Sequence, residues 1–174
     1  MQDLIITARL RLEPIPRETA RALSENQAQE TTDFSYLKKA IEEHPEIIAD
    51  TKELRRVLDV MGSMYDKDEL CYGAFLNDEL VGFVNLVHPG GDFPILQYEV
   101  KEDYHRKGLG YEAVTGYLRA YWEEYHSSPV FALIRPNNTA SIALIKKLSG
   151  ILVPPKSLLE ELMFSTYTVA PLKQ

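Results

Sequence analysis

The sequence predicts a mixed α+β fold in which a mostly antiparallel sheet is flanked by helices. Three consecutive runs rich in β-branched and aromatic residues lie between residues 70 and 100, and short connections join them, as in antiparallel strands. In the segments on either side, apolar residues recur at three- and four-residue intervals, which is typical of amphipathic helices. The length of 174 residues suits one domain, so we expect a single domain over residues 1–174.

The N-terminal part of the chain is predicted to hold one strand and a short helix. Leu10 and Leu12 alternate with charged residues, which indicates a half-buried strand over residues 4–13. Because proline is tolerated in the first turn of a helix, a helix is expected over residues 16–23. Residues 24–32 are polar and are expected to form a connection.

Two short amphipathic helices are expected next. The first covers residues 33–44, with Asp33 as its N-cap. The second begins at Asp50 and ends at Gly62. Asp50 and Glu53 have the spacing of a capping box. Such helices either cover an edge of the sheet or close over a substrate, and both interpretations stay open.

Three strands in succession are expected over residues 70–76, 80–87 and 93–100. Residues 77–79 have the composition of a hairpin turn, and residues 88–92 that of a second turn. Adjacent strands joined by turns this short run antiparallel.

The C-terminal part of the chain opens with the strongest helix signal, a wide apolar and aromatic stripe over residues 109–125 that predicts core packing. A buried strand is expected over residues 129–134, and Asn138 is placed to cap a helix over residues 138–148. Residues 151–153 and 162–169 read as strands. The sheet would therefore contain six or seven strands.

The stretch over residues 94–122 combines a strand, a charged loop with two glycines and the start of a helix. Gly108 and Gly110 lack a Cβ, so the backbone there can approach a ligand closely. The helix that follows presents N–H groups without intrahelical partners and the positive end of its dipole. An anion such as a pyrophosphate would fit at this point.

Composition limits the functions to consider. The net charge of −7 argues against binding to a nucleic-acid backbone. It mildly favours a cationic substrate, although a solvated acidic surface explains the same charge. No apolar run approaches the roughly 20 residues of a membrane span and no signal peptide is recognised, so we expect a cytoplasmic protein without a membrane partner.

Cys71 is the only cysteine and has apolar neighbours, which predicts a buried structural thiol. A metal is not expected, because no ligand spacing links the histidines His44, His88, His105 and His126.

The run over residues 97–113, followed by Asn138-Thr-Ala-Ser141 at the start of a later helix, resembles the GNAT superfamily of acetyl-CoA-dependent N-acyltransferases. The opening run Thr-Ala-Arg-Leu-Arg-Leu and the Asn-Thr-Ala-Ser run look most like the branch that contains ribosomal-protein N-terminal acetyltransferases. The resemblance implies a sheet splayed at an acetyl-CoA cleft. It also implies direct transfer of the acetyl group from acetyl-CoA to a primary amine, on a protein N-terminus or a small molecule.

The resemblance further implies which residues contact acetyl-CoA. In the family, backbone amides of the glycine loop wrap the pyrophosphate, which corresponds here to residues 105–110, and the preceding strand pairs with the pantetheine arm, which corresponds to residues 98–100. A backbone N–H near Val100 would polarise the thioester carbonyl, Asn138 would contact the pantetheine or the loop, and Ser141 would lie near the sulfur. The expected cofactor-binding residues are Tyr98, Val100, His105, Arg106, Lys107, Gly108, Leu109, Gly110, Asn138 and Ser141.

The sequence departs from the family pattern in three places. His105 stands where Gln or Arg is usual, which should matter little because the loop works through main-chain N–H groups. Ile145 stands where many members have the Tyr that protonates the thiolate. Ser149-Gly150-Ile151 replaces the usual Gly-Phe pair, so the wall on the acceptor side is expected to differ.

The implied reaction needs a neutral amine. Deprotonation at pH 7 costs roughly 4–5 kcal/mol for a lysine-like amine and about 1 kcal/mol for an α-amine. Glu99, a carboxylate on the strand that meets the thioester, is the best candidate for the base, with a water relay and His88 as alternatives. Ser141 would donate a hydrogen bond to the thiolate, or would instead serve the start of its helix.

Two other functions stay open at this point. The run from Gly108 to Ala113 formally matches the dinucleotide-binding pattern G-x-G-x-x-A, although Arg135 stands where an acidic ribose ligand would end the next strand. Ile145 in place of the acid is also compatible with a non-catalytic acyl-CoA-binding module. The oligomeric state is open as well, and exposed strand edges are compatible with a homodimer.

Overall fold

The computed structural model describes residues 1–27, 33–63, 69–125 and 129–171, and within them the chain forms eight strands and six α-helices. The strands are β1 (Ile5–Ile6), β2 (Arg11–Pro14), β3 (Glu69–Leu76), β4 (Glu79–Val87), β5 (Ile95–Val100), β6 (Val130–Ile134), β7 (Ile151–Leu152) and β8 (Ser165–Val169). The helices are α1 (Arg17–Gln27), α2 (Asp33–Glu43), α3 (Thr51–Ser63), α4 (Leu109–Tyr125), α5 (Thr139–Lys147) and α6 (Leu158–Met163), with 3₁₀ turns at Pro45–Ala49 and Glu102–Tyr104.

The strands form one sheet in the order β1-β2-β3-β4-β5-β6-β8-β7, and every neighbouring pair is antiparallel except β5 with β6. This arrangement confirms the predicted α+β class. The sheet has one strand more than expected because the single strand predicted over residues 4–13 is a small hairpin. Thr7 turns the chain there: its N–H donates to the carbonyl of Leu10 at 2.9 Å, and its hydroxyl accepts the N–H of Leu10 at 2.9 Å.

The sheet is splayed between β5 and β6. Among the described residues of these two strands only Ile95 and Phe131 pair, and the N–H of Phe131 donates to the carbonyl of Pro94 at 2.8 Å. Both strands then continue, to Val100 and to Ile134, without pairing to each other. The predicted opening therefore lies between the C-terminal parts of β5 and β6, and we call it the cleft.

The main core lies between α4 and the sheet, on what we call the α4 face. The predicted aromatic stripe of α4 is buried there, with Tyr117 and Tyr121 at 0% and 1% exposure. Both phenols find partners, since Tyr117 donates to the carbonyl of Leu70 at 2.5 Å and Tyr121 to that of Pro89. The stripe is thus structural, as predicted, and α4 is fixed along its length.

The opposite face of the sheet carries two separate helix clusters. In one of them, Ala20 of α1 packs on Cys71 and Phe83 of β3 and β4, so Cys71 is buried as predicted. The other cluster joins α2, the first 3₁₀ turn, α3 and α6, and Leu133 of β6 packs against it. One cluster therefore lies over the strands before β5 and the other over the strand after it.

Several predicted boundaries hold and one helix was missed. Asp50 caps α3 as expected, accepting the N–H of Glu53 at 3.0 Å. The side chain of Asp33 and residues 28–32 lie outside the described residues.

α6 falls where the sequence indicated a loop and the start of a strand. It was missed because six residues are too few to produce a periodic pattern of apolar residues. Its capping pair, Ser157 and Glu160, was the available signal.

A polar cluster joins α3 to α6. Arg56 donates to both carboxylate oxygens of Glu53 at 2.6 and 2.8 Å and to Glu160 at 3.0 Å. The hydroxyl of Ser157 also donates to Glu53, at 2.5 Å. The hydrogen bond from Arg56 is the main reason that the pKa of Glu53 falls from 4.5 to about 2.

We predict that Glu53→Gln lowers the free energy of unfolding by about 1–2 kcal/mol at pH 7, since a charge-assisted pair is lost and Arg56 is partly solvated. The folded-state pKa lies below the unfolded one, so the ionised carboxylate stabilises the fold fully above about pH 4.5, and this contribution is lost as the pH falls toward 2. Urea unfolding of both proteins at pH 7 and pH 3 measures this, and the difference should narrow at pH 3.

The matched control is Glu42→Gln on α2, because Glu42 forms an exposed ion pair with Lys38 at 3.8 Å. It should change the stability by less than about 0.5 kcal/mol at either pH. Equal effects of the two substitutions would contradict a specific role for Glu53.

Candidate functional site

The main-chain groups of β5 face two directions. The N–H of Lys101 donates to the carbonyl of Val81 at 2.8 Å, on the β4 side, whereas the carbonyl of Pro94 faces β6. Along an antiparallel strand, residues two apart point their N–H and C=O groups to the same neighbour. Tyr98 and Val100 are in phase with Pro94 and out of phase with Lys101, so their main-chain groups point away from β4. The main-chain groups of Tyr98 and Val100 therefore face the cleft.

The side chains of β5 alternate between the two faces of the sheet. Tyr98 packs against the core on the α4 face. Glu99 is half-buried on the other face of the sheet, where its partner on β4 is Phe83 of the α1 cluster. Glu99 thus lies on the strand between the two helix clusters, and it is separated by the sheet from the residues that follow on the α4 face.

Tyr98 reaches across to α5. Its hydroxyl donates to the carbonyl of Ser141 at 3.3 Å, and burial raises the pKa of Tyr98 above its usual value of 10. The phenol is therefore protonated at neutral pH. No pattern in the sequence indicated this contact, because the two residues are 43 positions apart.

The loop between β5 and α4 folds back on the end of the strand. The ring Nε2 of His105 donates to the carbonyl of Val100 at 2.7 Å. Arg106 and Gly108 both adopt positive φ, at 58° and 76°, which glycine accepts without strain and arginine does not. His105 thus fixes the loop through a side chain that the family pattern does not have.

The N-terminus of α4 lies against the cleft. The first intrahelical bond runs from the N–H of Glu112 to the carbonyl of Gly108 at 3.1 Å, so the N–H groups of residues 109–111 precede it. A Cβ on Gly110 would lie 3.4 Å from both Val100 and Leu144. The helix start therefore lies close to the end of β5, and the buried side chain of Leu109 anchors it in the core.

Asn138 is the N-cap of α5, as predicted. Its side-chain oxygen accepts the N–H of Ser141 at 3.1 Å, which places Ser141 in the first turn. Ser141 is half-buried, at the corner where Tyr98 meets α5. Ile145, one turn further on, is fully buried in the core, so its position supplies no acid.

Basic and aromatic side chains surround the glycine loop, although the protein is acidic overall. Arg106 and Lys107 are exposed, and the ammonium of Lys147 lies 3.9 Å from the centre of the Tyr111 ring. Arg9 reaches the loop from the N-terminal hairpin, with one guanidinium nitrogen 2.9 Å from the carbonyl of Lys107. Sequence analysis missed Arg9, because nothing in the local pattern relates it to a loop 98 residues away.

His88 occupies a different part of the molecule. It follows Val87, which pairs with Ile95 at the first residue of β5, and it has a positive φ of 54°. It therefore lies at the end of β5 away from the glycine loop, where β5 and β6 still pair. This position does not support a role as the base.

Among the residues that the structure describes, no three or more side chains of His, Cys, Asp or Glu are grouped so that they could hold a metal ion. None of the described helices has the length and apolar character required to cross a bilayer.

The comparisons with known proteins identify the family. The profile of the acetyltransferase (GNAT) domain matches residues 9–150, well over half of the chain. The chain therefore belongs to the GNAT family of acetyltransferases, and it is an acyltransferase. Enzymes of this family use acetyl-CoA as the acetyl donor. Comparison with curated proteins finds no significant match.

Solved structures share the fold. A candidate ribosomal-protein-serine acetyltransferase from Vibrio cholerae is 21% identical, with a TM-score of 0.58 over 98% of this chain and 100% of that one. An acetyltransferase from Agrobacterium tumefaciens strain C58 is 17% identical, with a TM-score of 0.60 over 97% and 94%. The RimL ribosomal L7/L12 α-N-protein acetyltransferase, solved with coenzyme A, is 14% identical, with a TM-score of 0.58 over 96% and 97%.

The fold also bears on the dinucleotide alternative. A dinucleotide-binding unit follows a strand of a parallel sheet, whereas the strand before Gly108 pairs antiparallel with β4 and shares one pair with β6. The glycine spacing therefore belongs to the GNAT loop.

We predict that Asn138→Ala lowers the free energy of unfolding by about 1 kcal/mol, because α5 loses its cap, while Asn138→Asp keeps the cap and stays near the wild type. Urea unfolding measures both. An Asn138→Ala protein as stable as Asn138→Asp would contradict the capping role. The affinity of the Asp variant for acetyl-CoA then tests whether the amide itself contacts the cofactor.

Proposed function

We propose that this chain binds acetyl-CoA in the cleft and transfers its acetyl group to a primary amine, with the α-amine of a protein N-terminus as the favoured acceptor. One observation carries the proposal: β5 separates from β6 after Ile95, and the open edge of β5 leads directly to the N-terminus of α4. A strand edge that accepts an amide-containing arm thus adjoins a helix start that accepts a pyrophosphate.

In this proposal the donor is bound mainly by backbone. The N–H groups of residues 106–110, at the loop and the start of α4, bind the pyrophosphate, whereas the N–H of His105 already donates to the carbonyl of Glu102 at 2.9 Å. Arg106 and Lys107 add positive charge. The pantetheine arm pairs with Tyr98 and Val100, and the N–H of Val100 polarises the thioester carbonyl. The hydrogen bond from His105 occupies the carbonyl of Val100 and fixes that residue next to the loop, so the contribution of Val100 in this proposal is its N–H.

The amine would attack the thioester carbonyl directly and release CoA as a thiolate. Glu99, directly or through water, is proposed as the base, and its place between the two helix clusters fits an acceptor that enters on the face opposite α4. Ser141 is proposed to stabilise the thiolate from the α4 side. The hydroxyl of Tyr98 donates its hydrogen to the carbonyl of Ser141 and so holds the first turn of α5 at that corner.

An α-amine is favoured because only about 1 kcal/mol is needed to deprotonate it at neutral pH. A single carboxylate such as Glu99 suffices for that step, whereas a lysine side chain requires roughly 4–5 kcal/mol. The names of the structural neighbours, which include ribosomal-protein acetyltransferases, support the same class of acceptor. We propose that residues 1–174 act as one cytoplasmic domain, possessing no nucleic-acid or membrane partner and able to form a homodimer.

We predict that Gly108→Asp, alone and together with Gly110→Asp, abolishes acetyl-CoA binding, since a carboxylate repels the pyrophosphate and occupies the space that the backbone needs. Isothermal titration of each variant with acetyl-CoA measures this. The melting temperature serves as the test of folding.

The control is Gly90→Asp, because a Cβ at Gly90 has no neighbour within 4 Å and the residue lies in the turn after β4. It should bind acetyl-CoA like the wild type. Unchanged binding by the folded Gly108→Asp variant would overturn the proposed function.

We also predict that Glu99→Gln lowers kcat by about 10²-fold or more with a lysine side-chain acceptor and less with an N-terminal peptide, because the α-amine needs less help in losing its proton. Release of free CoA with a panel of amines and peptides measures both. Affinity for acetyl-CoA should stay unchanged, since Glu99 points away from the α4 face. An equal kcat for Glu99→Gln and wild type with both acceptors would exclude Glu99 as the base.

A further inference from the structure

The turn between β1 and β2 contacts the start of α4 through a set of short polar interactions. The carboxylate of Glu112 accepts the hydroxyl of Thr7 at 2.6 Å, the N–H of Arg9 at 2.6 Å, and the Arg9 guanidinium at 2.7 Å through both Nε and Nη2. The remaining guanidinium nitrogen, Nη1, donates to the carbonyl of Lys107 at 2.9 Å. Arg9 therefore bonds to both sides of Gly108.

The contact with Lys107 fixes the direction of a peptide group. In a trans peptide the C=O and the following N–H point in opposite directions. With the carbonyl of Lys107 directed at Arg9, the N–H of Gly108 points away from Arg9. The same glycine has φ of 76°, so its backbone would otherwise have considerable freedom.

The contact with Glu112 concerns charge. Glu112 lies in the first turn of α4, the same helix terminus that the proposed function assigns to a pyrophosphate. An isolated carboxylate there would repel that anion and compete for the positive end of the helix dipole. Arg9 offsets the negative charge of Glu112. Its Nη2 lies 3.5 Å from the position that a Cβ on Gly108 would take.

The protonation of Glu112 fits this description. Burial by itself would raise the pKa of Glu112, but hydrogen bonds from Thr7 and Arg9 outweigh it and lower the pKa below its usual value. The carboxylate is therefore ionised at neutral pH and needs a cation beside it.

We propose that Arg9 is a positioning residue for the acetyl donor: it orients the Lys107–Gly108 peptide and neutralises Glu112, so that the loop presents its N–H groups to the pyrophosphate. This inference rests on the proposed function. It assigns a task to the N-terminal hairpin, which lies outside the strand, loop and helix that bind the donor.

The test compares two acetyl donors. Acetyl-CoA contains the pyrophosphate, whereas S-acetyl-pantetheine has the same thioester arm and lacks the pyrophosphate. Arg9→Ala should raise the Kd for acetyl-CoA about tenfold or more and leave kcat/KM for S-acetyl-pantetheine within about twofold of the wild type. The double variant Arg9→Ala with Glu112→Gln should recover part of the acetyl-CoA affinity, because the uncompensated carboxylate is gone.

The matched control is Arg11→Ala, two residues along the same hairpin. Arg11 also forms ion pairs, with Glu13 and Asp78 at 2.6 Å, but these lie away from the loop, and the Kd for acetyl-CoA should stay at the wild-type value. If Arg9→Ala does not fold, Arg9→Lys makes the same comparison, since lysine keeps the charge but cannot bond to Lys107 and Glu112 at once. Arg9→Lys should then raise the Kd for acetyl-CoA and leave kcat/KM for S-acetyl-pantetheine near the wild-type value.

Three results would overturn the inference. The first is a Kd for acetyl-CoA that is the same in Arg9→Ala as in Arg11→Ala. The second is an equal loss of activity of Arg9→Ala with both donors. The third is a double variant with Glu112→Gln whose affinity for acetyl-CoA is no higher than that of Arg9→Ala. Each of these leaves the proposed function standing. Failure of the wild-type protein to bind acetyl-CoA is a different outcome, which overturns the proposed function and this inference together.

Discussion

The site depends on one strand pairing that stops early. β5 and β6 share the pair Ile95–Phe131, and among their described residues they then separate. The neighbours of β5 and β6 on the other sides are antiparallel and pair over several residues, whereas these two strands are joined through α4 and no tight turn holds them together. Tyr98 and Val100 therefore direct main-chain groups into a gap, where a ligand can take the place of a strand.

α4 links that gap to the core. Its aromatic stripe, including Tyr117 and Tyr121, is buried against the sheet, so the position of its first turn is fixed by packing along the rest of the helix. This turn lies next to Val100, since a Cβ on Gly110 would be 3.4 Å from the Val100 side chain. The N–H groups at the start of α4 and the edge of β5 that faces the cleft thus adjoin as a consequence of the same core. The local charge at the turn, set by Arg9 and Glu112, is independent of the acidic net charge of the protein.

Much of the fold follows from local signals in the sequence. The three central strands, the long helix and the Asn138 cap were predicted with small boundary shifts, because alternation, helical spacing and capping residues act over a few positions. The errors have local causes too. Thr7 folds an apparently continuous strand into a hairpin, and α6 is too short to produce a periodic pattern.

The sequence by itself determined the class of fold, the glycine loop at a helix start and the resemblance to a family of acetyl-CoA-dependent enzymes. Tertiary structure alone decided which groups surround that loop. It placed Glu99 and Ser141 on opposite faces of the sheet, brought the Tyr98 hydroxyl to α5, and set Arg9 beside Lys107 and Glu112. The physical reason is that these contacts join residues far apart in the chain, whose approach depends on the packing of the whole sheet.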